Sequence, residues 1–139
     1  TAAERRLRRE FGGARVLVAE DDASIRCVLV EFLADAGLVV ETAINGREAC
    51  EAVARQAFDV IVLDVEMPET GGLEAARRIR ALPGQARVPI VAMTGRALED
   101  DRKRCVEAGM DDVLTKPFEP QALFEKMLQW LLAARGRVH

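Results

Sequence analysis

Apolar residues along this chain come in short blocks, and four of those blocks end in a polar group. Val16-Leu17-Val18-Ala19 runs into Glu20-Asp21-Asp22, and Asp59-Val60-Ile61-Val62-Leu63 runs into Asp64. Further on, Ile90-Val91-Ala92-Met93 meets Thr94-Gly95, and Asp112-Val113-Leu114-Thr115 meets Lys116-Pro117. Blocks of this length, bounded by turn residues, predict strands. The strands centre on 16–19, 39–42, 59–63, 88–93 and 111–114. Between them the period becomes helical, as in Ile25, Val28, Leu29, Phe32 and Leu33. Helices are expected near 23–36, 46–56, 72–82, 98–108 and 119–134. Gly37, Gly84 and Gly109 fall in helix-to-strand turns, while Asn45-Gly46 and Met67-Pro68 mark strand-to-helix loops.

Five strand–helix alternations predict an α/β fold, a (βα)5 doubly wound parallel sheet with right-handed crossovers. The first, third and fourth strands are almost wholly apolar, as central strands covered on both faces must be. The flavodoxin-like order 2-1-3-4-5 satisfies this and puts a switch point beside the first and third strands. Residues 14–134 hold this pattern, and 135–139 form a short tail. Residues 1–13 read as a helical linker or lead-in, stopped by Gly12-Gly13. Its apolar residues are few, with Leu7 and Phe11 one turn apart, so it is expected to be solvated. The last helix is the opposite case. Leu123, Phe124, Met127, Leu128, Trp130 and Leu131 are apolar over more than one face, mostly for the core but with room for a dimer or partner surface on the last strand and helices.

At 139 residues there is room for one domain with its own core. A net charge of −3 offers no global positive field for duplex nucleic acid. Glu4 and Glu10 likewise dilute the arginines of the lead-in. No apolar stretch is long enough to span a membrane, and the Arg-rich start lacks the apolar core of a secretory signal. Starting at Thr1, the chain is expected to be a fragment or a processed product. Cys27, Cys50 and Cys105 are scattered and odd in number, which suggests buried, reduced cysteine in a cytoplasmic protein. His139, the only histidine, stands at the extreme end, so a Ser-His-Asp or Cys-His hydrolase is excluded.

Parallel strands would bring the four polar ends together, and open parallel sheets bind ligands at that carboxyl edge. Glu20, Asp21 and Asp64 would meet at the switch point. Crowded carboxylates call for a cation, and an all-oxygen set selects Mg²⁺ or a similar ion such as Mn²⁺. A metal would keep Asp64 ionised and nucleophilic towards phosphorus. Lys116 supplies a positive charge and Thr94 a hydroxyl for the oxygens of a transferred phosphoryl group. Taken singly, Glu20 and Asp22 also suit strand-end charges or helix N-caps, Asp64 a loop acid, Thr94 a turn residue and Lys116 a solvated charge. Four such groups at four strand ends favour the composite site.

The segments Val-Ala-Glu-Asp-Asp, Leu-Asp-Val-Glu-Met-Pro with Gly72-Leu73-Glu74, Ala-Met-Thr-Gly and Thr-Lys-Pro-Phe resemble the receiver domain of two-component response regulators. The resemblance covers residues 14–134 and is most like the receivers of hybrid sensor histidine kinases. It implies Asp64 as phosphoacceptor, Glu20 and Asp21 as the metal-binding pair, and Glu66 as the backbone carbonyl that completes the metal site. It further implies Thr94 as the switch hydroxyl, Lys116 as the phosphate-binding lysine and a cis Lys116-Pro117 bond. The implied partner is a histidine kinase or histidine phosphotransfer domain, and the implied setting a phosphorelay. Such a domain assists its own phosphorylation and dephosphorylation and turns over no external metabolite; the parent chain would be a hybrid histidine kinase. Glu66 and Arg96 would flank the pocket mouth. Val113 stands where the family often carries an aromatic, so a ring swing is not open to this chain. Two alternatives remain: an aspartate-nucleophile phosphatase of the haloacid dehalogenase type, and a degenerate receiver serving as a binding module. The first places its nucleophile on the first strand, the reverse of this chain.

Overall fold

The computed structural model describes residues 1–95 and 99–136. Its five strands are β1 (Arg15–Ala19), β2 (Val39–Ala43), β3 (Val60–Asp64), β4 (Ile90–Thr94) and β5 (Asp112–Thr115). All pairings are parallel, and the order is β2-β1-β3-β4-β5. The three apolar strands are therefore the central ones, and the expected topology holds. Six helices accompany them among the described residues: α1 (Ala2–Phe11), α2 (Ala23–Asp35), α3 (Gly46–Arg55), α4 (Gly72–Ala81), α5 (Glu99–Glu107) and α6 (Pro120–Arg135).

The pleat sends alternate residues to opposite faces. Val16, Val18, Val60, Val62, Val91, Met93 and Leu114 pack in one layer with α1, α2 and α6. Leu17, Ala19, Ile61, Leu63, Ala92 and Val113 pack in the other with α3, α4 and the α5 side. The valine at 113 is thus a buried core residue. Helix α2 starts on Asp22, whose side chain accepts the amides of Ser24 and Ile25. It ends with Gly37 at φ 87°, where the Gly37 amide reaches Ala34 O and the Leu38 amide reaches Leu33 O. This paired closure needs a left-handed residue, which glycine adopts without a Cβ clash.

Two sequence expectations need correction here. The lead-in is helical but not solvated: Leu7 is fully buried and Ala3 nearly so. Helix α1 begins on a Thr1–Glu4 capping box and docks against α6. Arg8 donates to the carbonyl of Asp35, the last residue of α2. Arg135 of α6 pairs with Glu10 at 3.2 Å and lies 4.9 Å from the centre of the Phe11 ring. A stripe of Ala3, Leu7 and Phe11 suffices because the helix fills a notch and needs only one narrow apolar face. The second correction concerns the thiols. All three cysteines are free, but only Cys105 is buried; Cys27 is exposed on α2. Cys27 falls on the solvent side of that helix, one residue before Val28 and off the Leu29–Leu33 face. Burial pushes the thiols of Cys50 and Cys105 above their ordinary range.

The apolar surplus of α6 is largely used within the chain. Leu123, Phe124, Met127 and Leu131 are buried, and Leu128 and Trp130 are half-buried against the same layer. The indole N–H of Trp130 donates to Asp112 Oδ2 and Lys126 Nζ to Asp112 Oδ1, each at 2.8 Å. Burial alone would raise the Asp112 carboxyl, but these bonds and the Val113 amide together hold it below its ordinary 3.8. A carboxyl lowered in the folded state contributes stability above its unfolded pKa, and loses it as pH falls through the lower folded value. We therefore expect acid to weaken the β5–α6 seam below about pH 4. Asp112→Asn should flatten that part of the stability profile and remove the accompanying change in Trp130 fluorescence; an unchanged profile would count against the assignment.

Candidate functional site

Each functional group leaves the carboxyl edge of the sheet because its strand ends there. β1 delivers Glu20 and Asp21, β3 delivers Asp64, β4 delivers Thr94, and Lys116 follows β5. Glu20, Asp21 and Asp64 present carboxylate oxygens within 4.8 Å of one another. Glu20 and Asp64 are buried while Asp21 faces solvent, so the cluster is open on one side. Lys116 Nζ stands 2.8 Å from Glu20 Oε1 and 3.1 Å from Asp64 Oδ2. Burial pushes that ammonium's pKa down, but the two carboxylates outweigh it and hold the pKa above its ordinary value. Glu20 Oε1 is buried, and among the described residues the lysine ammonium is what compensates it. Such an atom, in a cluster of three carboxylates, fits a hard divalent cation.

Thr94 is buried at the end of β4, and its carbonyl accepts the Lys116 amide at 2.7 Å. Thr94, Glu66, Glu74 and Arg77 border a cavity of about 390 Å³ between α4 and α5. Glu66 is exposed, and its amide donates to Asp64 Oδ1 at 3.1 Å, which orients the carboxylate. Lys116-Pro117 is cis. Asp22 is the N-cap of α2 and not part of the acidic cluster. Arg96 and His139 lie outside the described residues. Beside Lys116 an apolar groove runs along α2, walled by Ile25, Val28, Phe32, Pro117 and Phe118.

Sequence reading missed the groups that hold the acids in place. Arg26 Nη1 donates to Glu20 O at 2.9 Å and approaches Asp21 O at 3.4 Å, which fixes the acidic loop. Its signal was an arginine on the first turns of α2, five and six residues beyond the acids it serves. The loop after Asp64 is held from the other side. Gly46 donates its amide to Thr70 O, and a Cβ at Gly46 would lie 2.1 Å from that oxygen. Glu69 and Thr70 have φ of 47° and 73°, left-handed values that cost on the order of 1 kcal/mol or more each.

Sheet order and switch-point acids define the class: a flavodoxin-like α/β domain with a carboxylate–lysine site at the carboxyl edge of its sheet. Residues 16–128 match the family model of the response regulator receiver domain, and the chain belongs to that family. It is a receiver domain of two-component systems. The sensor protein GacS of Pseudomonas syringae pv. syringae is 35% identical over 119 residues, covering 84% of this chain. The matched stretch is 13% of GacS, so the chain corresponds to a small part of that protein. The receiver domain of the sensor histidine kinase PA1611 from Pseudomonas aeruginosa PAO1, solved with magnesium in its active-site cleft, is 38% identical. It superposes with a TM-score of 0.79 over 86% of this chain and 98% of that one. The Ssk1 receiver of Saccharomyces cerevisiae, crystallised with the phosphotransfer protein Ypd1, is 30% identical with a TM-score of 0.81, covering 87% and 90% of the two chains. No helix among the described residues is long and apolar enough to cross a membrane.

Proposed function

We propose that Asp64 is the phosphoacceptor of this receiver, taking its phosphoryl group from a phosphohistidine on a histidine kinase or phosphotransfer domain. The observation that carries this is Lys116 Nζ held between Glu20 and Asp64, with Asp21 completing the acidic cluster. An Asp64 carboxylate oxygen forms the new P–O bond as the donor's N–P bond breaks, and the released imidazole keeps the electron pair and takes up a proton. Glu20, Asp21 and Asp64, with the Glu66 carbonyl, would hold Mg²⁺ or Mn²⁺, which supplies charge neutralisation at the phosphoryl oxygens. Lys116 gives those oxygens a second positive charge, and the Thr94 hydroxyl offers a donor from β4. The Glu66 amide keeps Asp64 aimed at the open side of the site.

The donor's helical surface would sit on the groove along α2, where Val28 is 43% exposed and Lys116 forms part of the wall. A parent chain of the hybrid-kinase type suits the likeness to a segment of GacS, and a cytoplasmic setting suits three free thiols.

The test uses two donors. With Mg²⁺ and a small acyl phosphate, the protein should gain one phosphoryl group, borne by the peptide containing Asp64, and chelation of the metal should prevent it. With a phosphorylated histidine-phosphotransfer protein as donor, Val28→Asp should slow transfer far more than it slows uptake from the acyl phosphate. Rapid turnover of phosphate esters without a stable adduct would point instead to a phosphatase, and no adduct at all to a binding module.

A further inference from the structure

We propose that Asn45 is a positioning residue for the phosphoacceptor loop, acting through Glu69 to hold the loop that carries Glu66. The proposal rests on the site reading above, in which Asp64 and its neighbours bind a divalent metal. Asn45 is only 6% exposed and uses both ends of its amide. Its Oδ1 accepts the Glu48 amide at 2.8 Å, capping α3, while its Nδ2 donates to Glu69 Oε2 at 3.3 Å. Arg47 Nε approaches the same carboxylate oxygen at 3.4 Å. One residue along, the Gly46 amide holds Thr70 O. The first turn of α3 therefore grips two consecutive residues of the loop, Glu69 and Thr70.

Those two residues are the left-handed ones. A non-glycine residue at positive φ persists only where its surroundings over-determine it, and a β-branched threonine there is a genuine outlier. Nothing in the chemistry of Asp64 requires the strain at 69 and 70. The strained turn lies in the loop that folds the chain back from β3 to α4, closed by the Gly72 amide on Val65 O, and Glu66 stands at the start of that loop with its amide on Asp64 Oδ1. Outer groups that orient metal ligands commonly change metal affinity by roughly 10- to 100-fold when removed. Asn45 occupies that role here, at one remove through Glu69.

The polarity of the contact supplies a clean test. Asn45→Asp retains a side chain that caps α3 as well as asparagine does, yet it loses the amide donor and sets a second carboxylate against Glu69. The expected result is a lowered melting temperature with the native fold kept, faster hydrogen exchange at the Glu66 amide in metal-free protein, and Mg²⁺ binding weakened by roughly tenfold in calorimetry. Adding Glu69→Gln to that variant restores a donor with the polarity reversed, and should return both exchange and affinity towards the wild type. Glu69→Ala, which breaks the contact from the exposed loop side without touching the cap, should weaken Mg²⁺ binding similarly. Wild-type exchange and affinity in Asn45→Asp and Glu69→Ala, or no recovery in the double variant, would overturn the proposal. If the wild-type protein itself bound no Mg²⁺, the site reading would fall and this proposal with it.

Discussion

Asp64→Ala is expected to abolish phosphoryl uptake while leaving the fold at least as stable as before. Uptake is lost because the substitution removes the proposed phosphoacceptor carboxylate; of the other two acids, Glu20 is buried with Oε1 against Lys116, and Asp21 faces solvent. Stability should survive because the substitution removes one of three mutually repelling acids, and Lys116 keeps Glu20 at 2.8 Å. Lys116→Ala makes the opposite case. It leaves Glu20 and Asp64, 1% and 3% exposed, without the cation between them. Removing one partner of a buried ion pair costs about 3 kcal/mol or more, and loss of one preorganised charge slows the chemistry by on the order of 10²-fold. Mg²⁺ should recover part of the Lys116→Ala stability, since a ligand that binds only the folded state stabilises it by mass action. Thermal melts with and without Mg²⁺, beside mass spectrometry of the acyl-phosphate reaction, check both variants. Phosphoryl gain in Asp64→Ala would displace it as the acceptor.

The difference between these two variants follows from how the site is written in the chain. Glu20, Asp64, Thr94 and Lys116 each end or follow an apolar block, so the sheet itself converges them, and four distant segments could be read as one site. The sheet order was legible for the same reason: β3 and β4 are buried throughout and β1 is buried beyond Arg15, as apolar runs covered on both faces must be. Less legible were groups whose work is done through another residue's backbone. Arg26 grips carbonyls, which any amino acid carries, and Asn45-Gly46 read simply as a turn signal. The contact of Asn45 with Glu69 joins two loops 24 residues apart in sequence, and no periodicity reports it. Cys27 was misjudged because cysteine's usual preference for the interior outweighed its place on α2, next to a residue, Val28, that the fold also leaves outside.

Helix α1 and the last helix were two halves of one observation. The lead-in had too few apolar residues to form a core of its own, and α6 had more than one face required. Their contact explains both, since α1 covers the lower part of α6 and the end of α2 with Ala3, Leu7 and Phe11. The surplus on α6 therefore reflects, in part, a helix supplied by the same chain. A spacing of four residues between successive apolar positions carries this signal, but a stripe so narrow is also what a solvated helix shows by chance. The acids that dilute the arginine charge of the lead-in are paired within the chain: Glu10 meets Arg6 and Arg135, and Glu4 meets Arg8.

Leu7→Ala is accordingly expected to destabilise the domain by about 2–5 kcal/mol, the range for deleting a buried leucine side chain. For a domain of this size that is a fall in Tm of roughly 8–20 °C. The cost sits at the high end if the notch cannot collapse, and two features argue that it cannot. Arg8 is tied to the Asp35 carbonyl at the end of α2, and Arg135 is tied to Glu10, so α1 is pinned on both sides of the gap. The carbonyl at a helix C-terminus also favours a cation, which makes the Arg8 contact more than a crossing of surfaces. Leu7→Met, nearly equal in volume, should cost less than about 1.5 kcal/mol. Chemical denaturation of both variants distinguishes a packed element from a lead-in: a solvated helix would tolerate Leu7→Ala within about 0.5 kcal/mol. Because α1 lies at the opposite end of the strands from Asp64, phosphoryl uptake by the folded fraction should stay at the wild-type rate, so that stability and chemistry separate cleanly in one variant.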